Sequence, residues 1–412
     1  MKSVCFLAAL MSSFSVFSYD SYLVKFKNSG EQQSFLNQKS ALVSDVQDLK
    51  ISGSSLALVK KSDKSSDELF VKRLKAQPGV VFVEPNYKLH ISRANLPTDP
   101  QYSSQWGLQG KESINAPKAW EITKGSRDVK VAVIDTGVDY KHSDLKDQMW
   151  VNEAEKNGQP GVDDDGNGFV DDIYGYDFAN NDGDPMDDNE HGTHCAGVIG
   201  ASHNNIGVAG VMKDVQIMAI KFLKGSGGGD TAGAIQSIDY AIKMGVNVMS
   251  NSWGGEEDEE SRLLQEAIER AEKNGIIFVA AAGNDSRNNE VKHNYPSDFL
   301  VDNIIAVGSH DSSGGKSYFS NYGKTSVDVF APGSSILSTV PGNRYAKLSG
   351  TSMATPFVAG VVGLLISQYP QMSYKEIKER LINTSVKNGR LNNYSVSAGR
   401  IDAYRALENI QN

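Results

Sequence analysis

Gly350-Thr351-Ser352-Met353-Ala354-Thr355-Pro356 sets a small hydroxyl-bearing residue in a tight Gly/Thr turn. The apolar run Phe357-Val358-Ala359-Gly360-Val361-Val362-Gly363-Leu364-Leu365-Ile366 follows directly. A serine at the head of a buried helix lies near the positive end of the helix dipole, where developing negative charge is stabilised. Upstream segments give that serine its weight: Asp135 in Val133-Ile134-Asp135-Thr136-Gly137, His191 in His191-Gly192-Thr193-His194-Cys195-Ala196-Gly197, and Asn284 in Ala281-Ala282-Gly283-Asn284.

From Trp106 onward, compact apolar runs alternate with amphipathic stretches. Val129-Lys130-Val131-Ala132-Val133-Ile134, Val215-Gln216-Ile217-Met218-Ala219-Ile220 and Val246-Asn247-Val248-Met249-Ser250 are three of these runs. Ile276-Ile277-Phe278-Val279-Ala280-Ala281 and Ile304-Ile305-Ala306-Val307-Gly308 are two more. Such runs suit strands buried on both faces of a parallel sheet, and residues 231–244 and 259–274 read as helices between them. The pattern predicts a three-layer α/β fold with a mostly parallel central sheet and no internal repeat. The reactive candidates fall at or just after strand C-termini, where open α/β sheets place their ligands.

The N-terminal part reads differently. Met1-Lys2 and a short apolar stretch ending near Val16-Phe17-Ser18 predict a signal peptide over 1–18, too short to span a bilayer. The protein is therefore expected to be secreted, extracellular or periplasmic, and to have no membrane anchor once mature. Tyr22-Leu23-Val24-Lys25-Phe26-Lys27 alternates like a strand, Leu56-Ala57-Leu58-Val59 follows, and residues 68–74 have helical spacing. Gln77-Pro78-Gly79 breaks that helix before the strand-like residues 80–86, so a small α+β unit of low intrinsic stability is expected over 19–95. The polar stretch 92–102, with Pro97 and Pro100, reads as a linker into a large domain over 96–412.

Fifty acidic residues against 41 basic ones give a net charge of −9, which offers no reason to expect nucleic acid or anionic membrane as a partner. Of two cysteines, Cys5 lies in the leader, so Cys195 is alone in the mature chain and an internal disulfide framework is excluded. Stability outside the cell must then come from core size or bound ions.

A serine hydroxyl is a weak nucleophile at neutral pH. It needs a base to take its proton and a carboxylate to hold that base in one tautomer. Asp135, His191 and Ser352 supply those groups, each beside a glycine: Gly137, Gly192 and Gly350. Taken singly, Asp135 reads most often as a helix cap, and His191-Gly192-Thr193-His194 could be a metal pair. Together and in this order they predict a nucleophilic relay, with the Asn284 amide as donor to a developing oxyanion. An esterase would carry Gly-x-Ser-x-Gly around its nucleophile, which Gly350-Thr351-Ser352-Met353-Ala354 does not supply. Ser352 occupies the nucleophile position, so Cys195 is expected to be a small buried hydrophobe.

These three segments resemble the signatures of the subtilases, the subtilisin-like serine proteases, and the resemblance covers essentially everything after Asp99. Phe319-Ser320-Asn321-Tyr322-Gly323 and Ala331-Pro332-Gly333 fit the family's later strands. The resemblance implies a serine endopeptidase in which Asp135 orients, His191 acts as base and then acid, Ser352 attacks and Asn284 stabilises the oxyanion. A donor of this kind is worth about 3–4 kcal/mol, a magnitude established in subtilisin rather than in this chain. It further implies that Ser252-Trp253-Gly254-Gly255 and Gly227-Gly228-Gly229 are the two edges that bind extended peptide, a form of strand addition. Family members often carry Leu at the place of Trp253. Broad specificity with a preference for large apolar side chains is expected. The segment 22–90 is similar to the family's inhibitory propeptide, of ferredoxin-like α+β type, a foldase that the protease removes from its own precursor. The mature form is expected to be a monomer acting on proteins or peptides.

Asp163-Asp164-Asp165-Gly166-Asn167-Gly168-Phe169-Val170-Asp171-Asp172 is a second signal. Oxygen ligands at alternate positions match the first part of an EF-hand loop, with Asp163, Asp165, Asn167, the Phe169 carbonyl and Asp171 as candidate calcium ligands. Tyr174 stands where the closing Glu belongs, so Asp172 or a more distant carboxylate must complete the shell. The family resemblance implies a second calcium site at Asp144, Asn204 and the carbonyls of Ser202, Ile206 and Val208, with Asp99 from the N-terminal arm. Glu256 to Glu260 lacks ligand spacing and reads as a solvated helix start; His203, His293 and His310 read as surface residues.

Overall fold

The structure, a computed structural model, describes residues 21–37, 43–62, 65–86, 96–255 and 261–411. The expected leader, residues 87–95 and the acidic run 256–260 lie outside the described residues. The chain divides into two compact units, Met1–Arg93 and Ala94–Asn412.

The first unit runs β1 (Ser21–Phe26), α1 (Ser29–Asn37), β2 (Val43–Asp48), β3 (Leu56–Lys61), α2 (Asp67–Lys75) and β4 (Val80–Pro85). Its sheet order is β2-β3-β1-β4 with every described pairing antiparallel, the connectivity of a split β-α-β unit. The alternation in β1 buries Tyr22, Val24 and Phe26 against Ala57, Val59, Phe70 and Leu74. Ser66 caps α2 by accepting the Leu69 N–H at 3.3 Å.

The second unit is built on a nine-stranded sheet. In chain order its elements include α3 (Ala116–Ala119), β5 (Gly125–Asp135), α4 (Glu153–Asn157), β6 (Gly175–Asp177), α5 (His191–Gly200), β7 (Asp214–Lys221) and α6 (Thr231–Lys243). There follow β8 (Val248–Asn251), α7 (Arg262–Lys273), β9 (Ile277–Ala281), β10 (Ile304–His310), β11 (Val329–Pro332), the hairpin β12 (Ile336–Val340) and β13 (Arg344–Leu348), and α8 (Thr351–Gln368). The unit closes with α9 (Tyr374–Thr384), β14 (Val386–Lys387), β15 (Gly399–Arg400) and α10 (Ala403–Glu408). The sheet order is β14-β15-β11-β10-β9-β8-β5-β7-β6, parallel throughout except for the β14–β15 edge.

The apolar runs work because each feeds two cores. In β5, Val131 and Val133 enter one cluster while Ala132 and Ile134 enter the other. In β9, Ile277 and Val279 divide from Phe278 and Ala280 in the same way. Helices α5 and α8 cover the first face; α6 and α7 cover the second. Three layers result, as the periodicity predicts. By length and composition α8 could cross a membrane, yet 83% of it is buried inside this unit, so it is a core helix.

Two histidines depart from expectation. His310 is fully buried at the end of β10, donating from Nδ1 to the Asp311 carbonyl at 2.9 Å and standing edge-on to Trp106. Burial pushes its pKa down to about 4. His203 is half-buried against Trp120, with Nε2 3.0 Å from the Gly210 carbonyl. Each is covered by a tryptophan from distant sequence, Trp106 over His310 and Trp120 over His203, which no local pattern announces. His293 is exposed as expected, but its Nδ1 lies 3.5 Å from Asp298.

Truncating a residue sealed between α8 and the sheet should leave a cavity. Leu364→Ala, at a fully buried position, is expected to cost about 2–5 kcal/mol by chemical denaturation. Leu300→Ala, at a position 96% exposed, should stay within about 0.5 kcal/mol of the parent.

Candidate active site

Because β5, β8 and β9 are parallel neighbours, their C-terminal ends meet on one edge of the sheet. Asp135 ends β5, Ser252 follows β8 and Asn284 lies just past β9. His191 opens α5 and Ser352 is the second residue of α8.

Asp135 is fully buried, and its Oδ1 accepts the Thr136 N–H at 2.7 Å and the His191 Nδ1–H at 2.7 Å. That bond fixes the tautomer that leaves Nε2 as the basic nitrogen. Burial disfavours the imidazolium, but the charges of Asp135, Asp187 and Glu190 outweigh it, and the ring's pKa lies above its ordinary value. The glycines beside the pair are steric requirements. A Cβ at Gly192 would stand 2.0 Å from the Gly137 carbonyl oxygen, and Gly137 has φ +102° with the Pro185 carbonyl against its Cβ position. The metal-pair alternative fails, since His194 is buried with Nε2 2.9 Å from the Ile336 carbonyl.

Pro356 shapes the nucleophile turn. It lies inside α8 without an N–H, so the helix supplies no i→i−4 donor to the Ser352 carbonyl. The Ser252 hydroxyl takes that carbonyl at 2.8 Å, and the Cys195 thiol approaches it at 3.4 Å. In return the Ser352 hydroxyl donates to the Ser252 carbonyl at 3.1 Å rather than to His191. A hydroxyl has one proton, so it must leave that acceptor before His191 takes it. Burial, reinforced by the Asp135 charge, pushes the Cys195 thiol far above its ordinary pKa and keeps it neutral, in keeping with a packing role.

Asn284 is anchored by its oxygen. Oδ1 accepts the Thr351 N–H at 2.8 Å and the Thr351 hydroxyl at 3.1 Å, which fixes the amide's orientation and leaves its NH2 end to donate. Nδ2 stands 3.7 Å from where a Cβ on Gly350 would sit. The Ser352 N–H, in the first turn of α8, has no intrahelical acceptor and can donate beside it, a group that sequence reading passed over.

A cleft of about 470 Å³ runs past His191. Ser252, Trp253, Gly254 and Gly255 line one side, and Gly227, Gly228 and Gly229 line the other. Trp253 stands edge-on to Phe222 with ring centres 5.0 Å apart, and the two aromatic rings both line the cleft. Gly255 exchanges both backbone bonds with Tyr295, at 3.0 and 3.1 Å. Its backbone is therefore already paired, and the free edge is confined to the residues before it.

The acidic loop is arranged differently from an EF-hand. Asp163 accepts the N–H groups of Asn167 and Gly168 at 3.0 and 2.7 Å, and Asp171 accepts the Gly161 N–H at 2.8 Å. Both carboxylates thus serve the loop's own backbone. Asp165 and Asp172 converge with Glu155 of α4, with ligand atoms within 4.8 Å of one another, and Glu155 likewise accepts loop N–H groups, from Asp164, Asp165 and Asp171. The side-chain amides of Asn152 and Asn167 each bridge Asp165 and Asp172. Phe169 directs its ring into a cluster with Tyr176, Phe178 and Tyr240. Glu155 lies outside the motif, and its separation from the loop hid it in the sequence.

At the second expected ion site, loop 202–208 wraps two buried carboxylates. Asp99 Oδ1 accepts the Asn204 N–H at 3.0 Å and Asp144 Oδ2 the Val208 N–H at 3.1 Å. Asn204 Oδ1 accepts the Ile206 N–H at 2.9 Å, and the Ser202 N–H donates to the Asp144 carbonyl at 2.8 Å. The other oxygens, Asp99 Oδ2 and Asp144 Oδ1, are buried without a well-formed hydrogen bond, with the Tyr345 and Asn204 side chains close to the Asp144 carboxylate. Burial raises the Asp144 pKa against the pull of its hydrogen bonds.

The family model described as the subtilase family matches residues 126–399. The chain is 40% identical over 313 residues to thermitase of Thermoactinomyces vulgaris, covering 76% of this chain and 99% of that protein. It is 39% identical over 342 residues to the thermophilic serine proteinase of Bacillus sp. (strain AK1), covering 82% and 76% respectively. Subtilisin DY of Bacillus licheniformis is 36% identical over 277 residues, 67% of this chain and 90% of that protein. Matched over most of its length by both the family model and these relatives, the chain belongs to the subtilase family, the subtilisin-like serine endopeptidases.

Proposed function

We propose that the protein is a secreted endopeptidase that cleaves proteins through Asp135, His191 and Ser352, and that it is made as a self-processing precursor. The observation that carries this reading is the 2.7 Å Asp135–His191 bond beside a serine held at the head of buried α8. In the first step the Ser352 hydroxyl leaves the Ser252 carbonyl and gives its proton to His191 Nε2 as its oxygen attacks the peptide carbonyl. Asp135 stabilises the imidazolium, while the Asn284 amide and the Ser352 N–H receive the oxyanion. The imidazolium then protonates the leaving amine, and water repeats the sequence on the acyl-enzyme.

Substrate lies extended between the two glycine-rich edges, and Trp253 with Phe222 favours large apolar side chains at the cleft floor. The antiparallel unit over Ser21–Pro85 acts as inhibitor and folding aid before its removal, and the mature enzyme works as a monomer. Calcium is the ion that best suits the site at Asp99 and Asp144, since two buried carboxylate oxygens without a well-formed hydrogen bond demand a hard cation. A second calcium at Glu155, Asp165 and Asp172 would relieve repulsion among carboxylates held within 4.8 Å.

Expressed beside the parent, Ser352→Ala should remain at precursor length and leave casein intact; normal maturation and digestion by this variant would defeat the assignment. Neutral His191 is the base, so activity should rise with pH along a one-proton limb above the ordinary histidine value of 6.5. Asp135→Asn removes the charge that raises that pKa, so the limb should move to lower pH while kcat falls on the order of 10⁴-fold. Chelation should lower the melting midpoint by several degrees, since an ion at a hundred times its Kd contributes about 2.7 kcal/mol. Asp144→Asn should lose the share contributed by the ion at Asp99 and Asp144, and its remaining response to chelator should be smaller than the parent's, coming from the second site alone.

A further inference from the structure

Asp187 lies in the loop before α5, is 4% exposed, and takes four donors from the segments around Asp135, at the end of β5, and His191, at the start of α5. Its Oδ1 accepts the Thr136 hydroxyl and the Asn189 N–H, both at 2.9 Å. Its Oδ2 accepts the Thr193 N–H at 2.9 Å and the Thr193 hydroxyl at 2.6 Å. Each partner reaches onward. The Thr136 hydroxyl, next to Asp135, accepts the N–H of Gly192 at 2.9 Å. The Asn189 side chain accepts the His191 N–H at 3.2 Å, and the Thr193 hydroxyl accepts the Asp139 N–H at 2.9 Å.

We propose that Asp187 is a positioning residue for the Asp135–His191 pair, tying the end of β5 to the first turn of α5 and setting a second negative charge near the imidazolium formed in turnover. This inference rests on the triad reading given above. A neutral amide could not do the same work, because all four partners donate and an amide accepts at one end only. A buried carboxylate is costly to ionise, and burial pushes the Asp187 pKa up while its donors pull it down. Other charged or titratable groups near His191 are accounted for. Asp135 faces the ring from β5, Glu190 comes from the same loop as Asp187, and His194 and Cys195 lie within the next turn of α5. Lys221, buried at the end of β7, is committed to the Thr136 and Leu223 carbonyls and to Asp188.

The test compares Asp187→Asn, Thr136→Val and Thr136→Ser with the parent, on folded, full-length-derived enzyme and a peptide substrate. Asp187→Asn should lower kcat on the order of 10–100-fold with little change in KM, and should move the acid limb of kcat/KM to lower pH. Thr136→Val keeps the charge but cuts one link, so kcat should fall less with the limb unmoved, and Thr136→Ser should restore it. A folded Asp187→Asn enzyme with parental kcat and limb would overturn the proposal. Should that variant not accumulate, parental kcat in Thr136→Val would overturn it instead. Ser352→Ala and His191→Ala run alongside: activity surviving there sinks the triad reading itself, whereas its loss there with unchanged Asp187 and Thr136 variants sinks only this inference.

Discussion

Burial of α8 against the parallel sheet is the constraint on which the site depends. An apolar helix sealed within the core on one face of the sheet is held along its length by close packing, and its first turn emerges at the sheet's C-terminal edge. Ser352 is thereby fixed without help from its own side chain. Pro356 then removes one helical hydrogen bond, and the carbonyl so released is held by Ser252 from the end of β8. Nucleophile and substrate edge are tied by backbone and hydroxyl together, so the cleft and the reacting atom cannot drift apart independently.

Electrostatics follows the same geometry. Two buried carboxylates act on His191: Asp135, bonded to its Nδ1, and Asp187, in the loop before α5. Burial alone would keep the ring neutral, as it does for His194 and His310, whose pKa values fall to about 4. The difference lies in the carboxylates, together with the partial exposure of the His191 side chain, 27% where the other two are fully buried. One histidine is made ready to hold a proton during turnover while its buried neighbours stay uncharged.

Much of this was legible in the sequence because the decisive residues lie in short contiguous segments. Asp135, His191 and Ser352 each carry their own glycine context, and the runs that form β5, β7 and β9 are too apolar for a half-exposed strand. What stayed hidden depends on contacts between distant segments. Ser252 and Ser352 are 100 residues apart, and the Gly255–Tyr295 pairing closes an edge that looked open. Glu155 and Asp187 are single acids outside any motif, and only the folded loops show which N–H groups they serve. The EF-hand spacing picked out Asp165 and Asp172, which the fold brings beside Glu155, but spacing cannot show that Asp163 and Asp171 accept N–H groups of their own loop.

Covalent labelling tests the central claim most directly. A fluorophosphonate probe reacts only with a serine activated by a neighbouring base, and peptide mass spectrometry locates the adduct. The account predicts one adduct per folded molecule, on Ser352, lost in His191→Ala while the protein remains folded. Labelling at another residue, or at Ser352 with equal speed in His191→Ala, would contradict it.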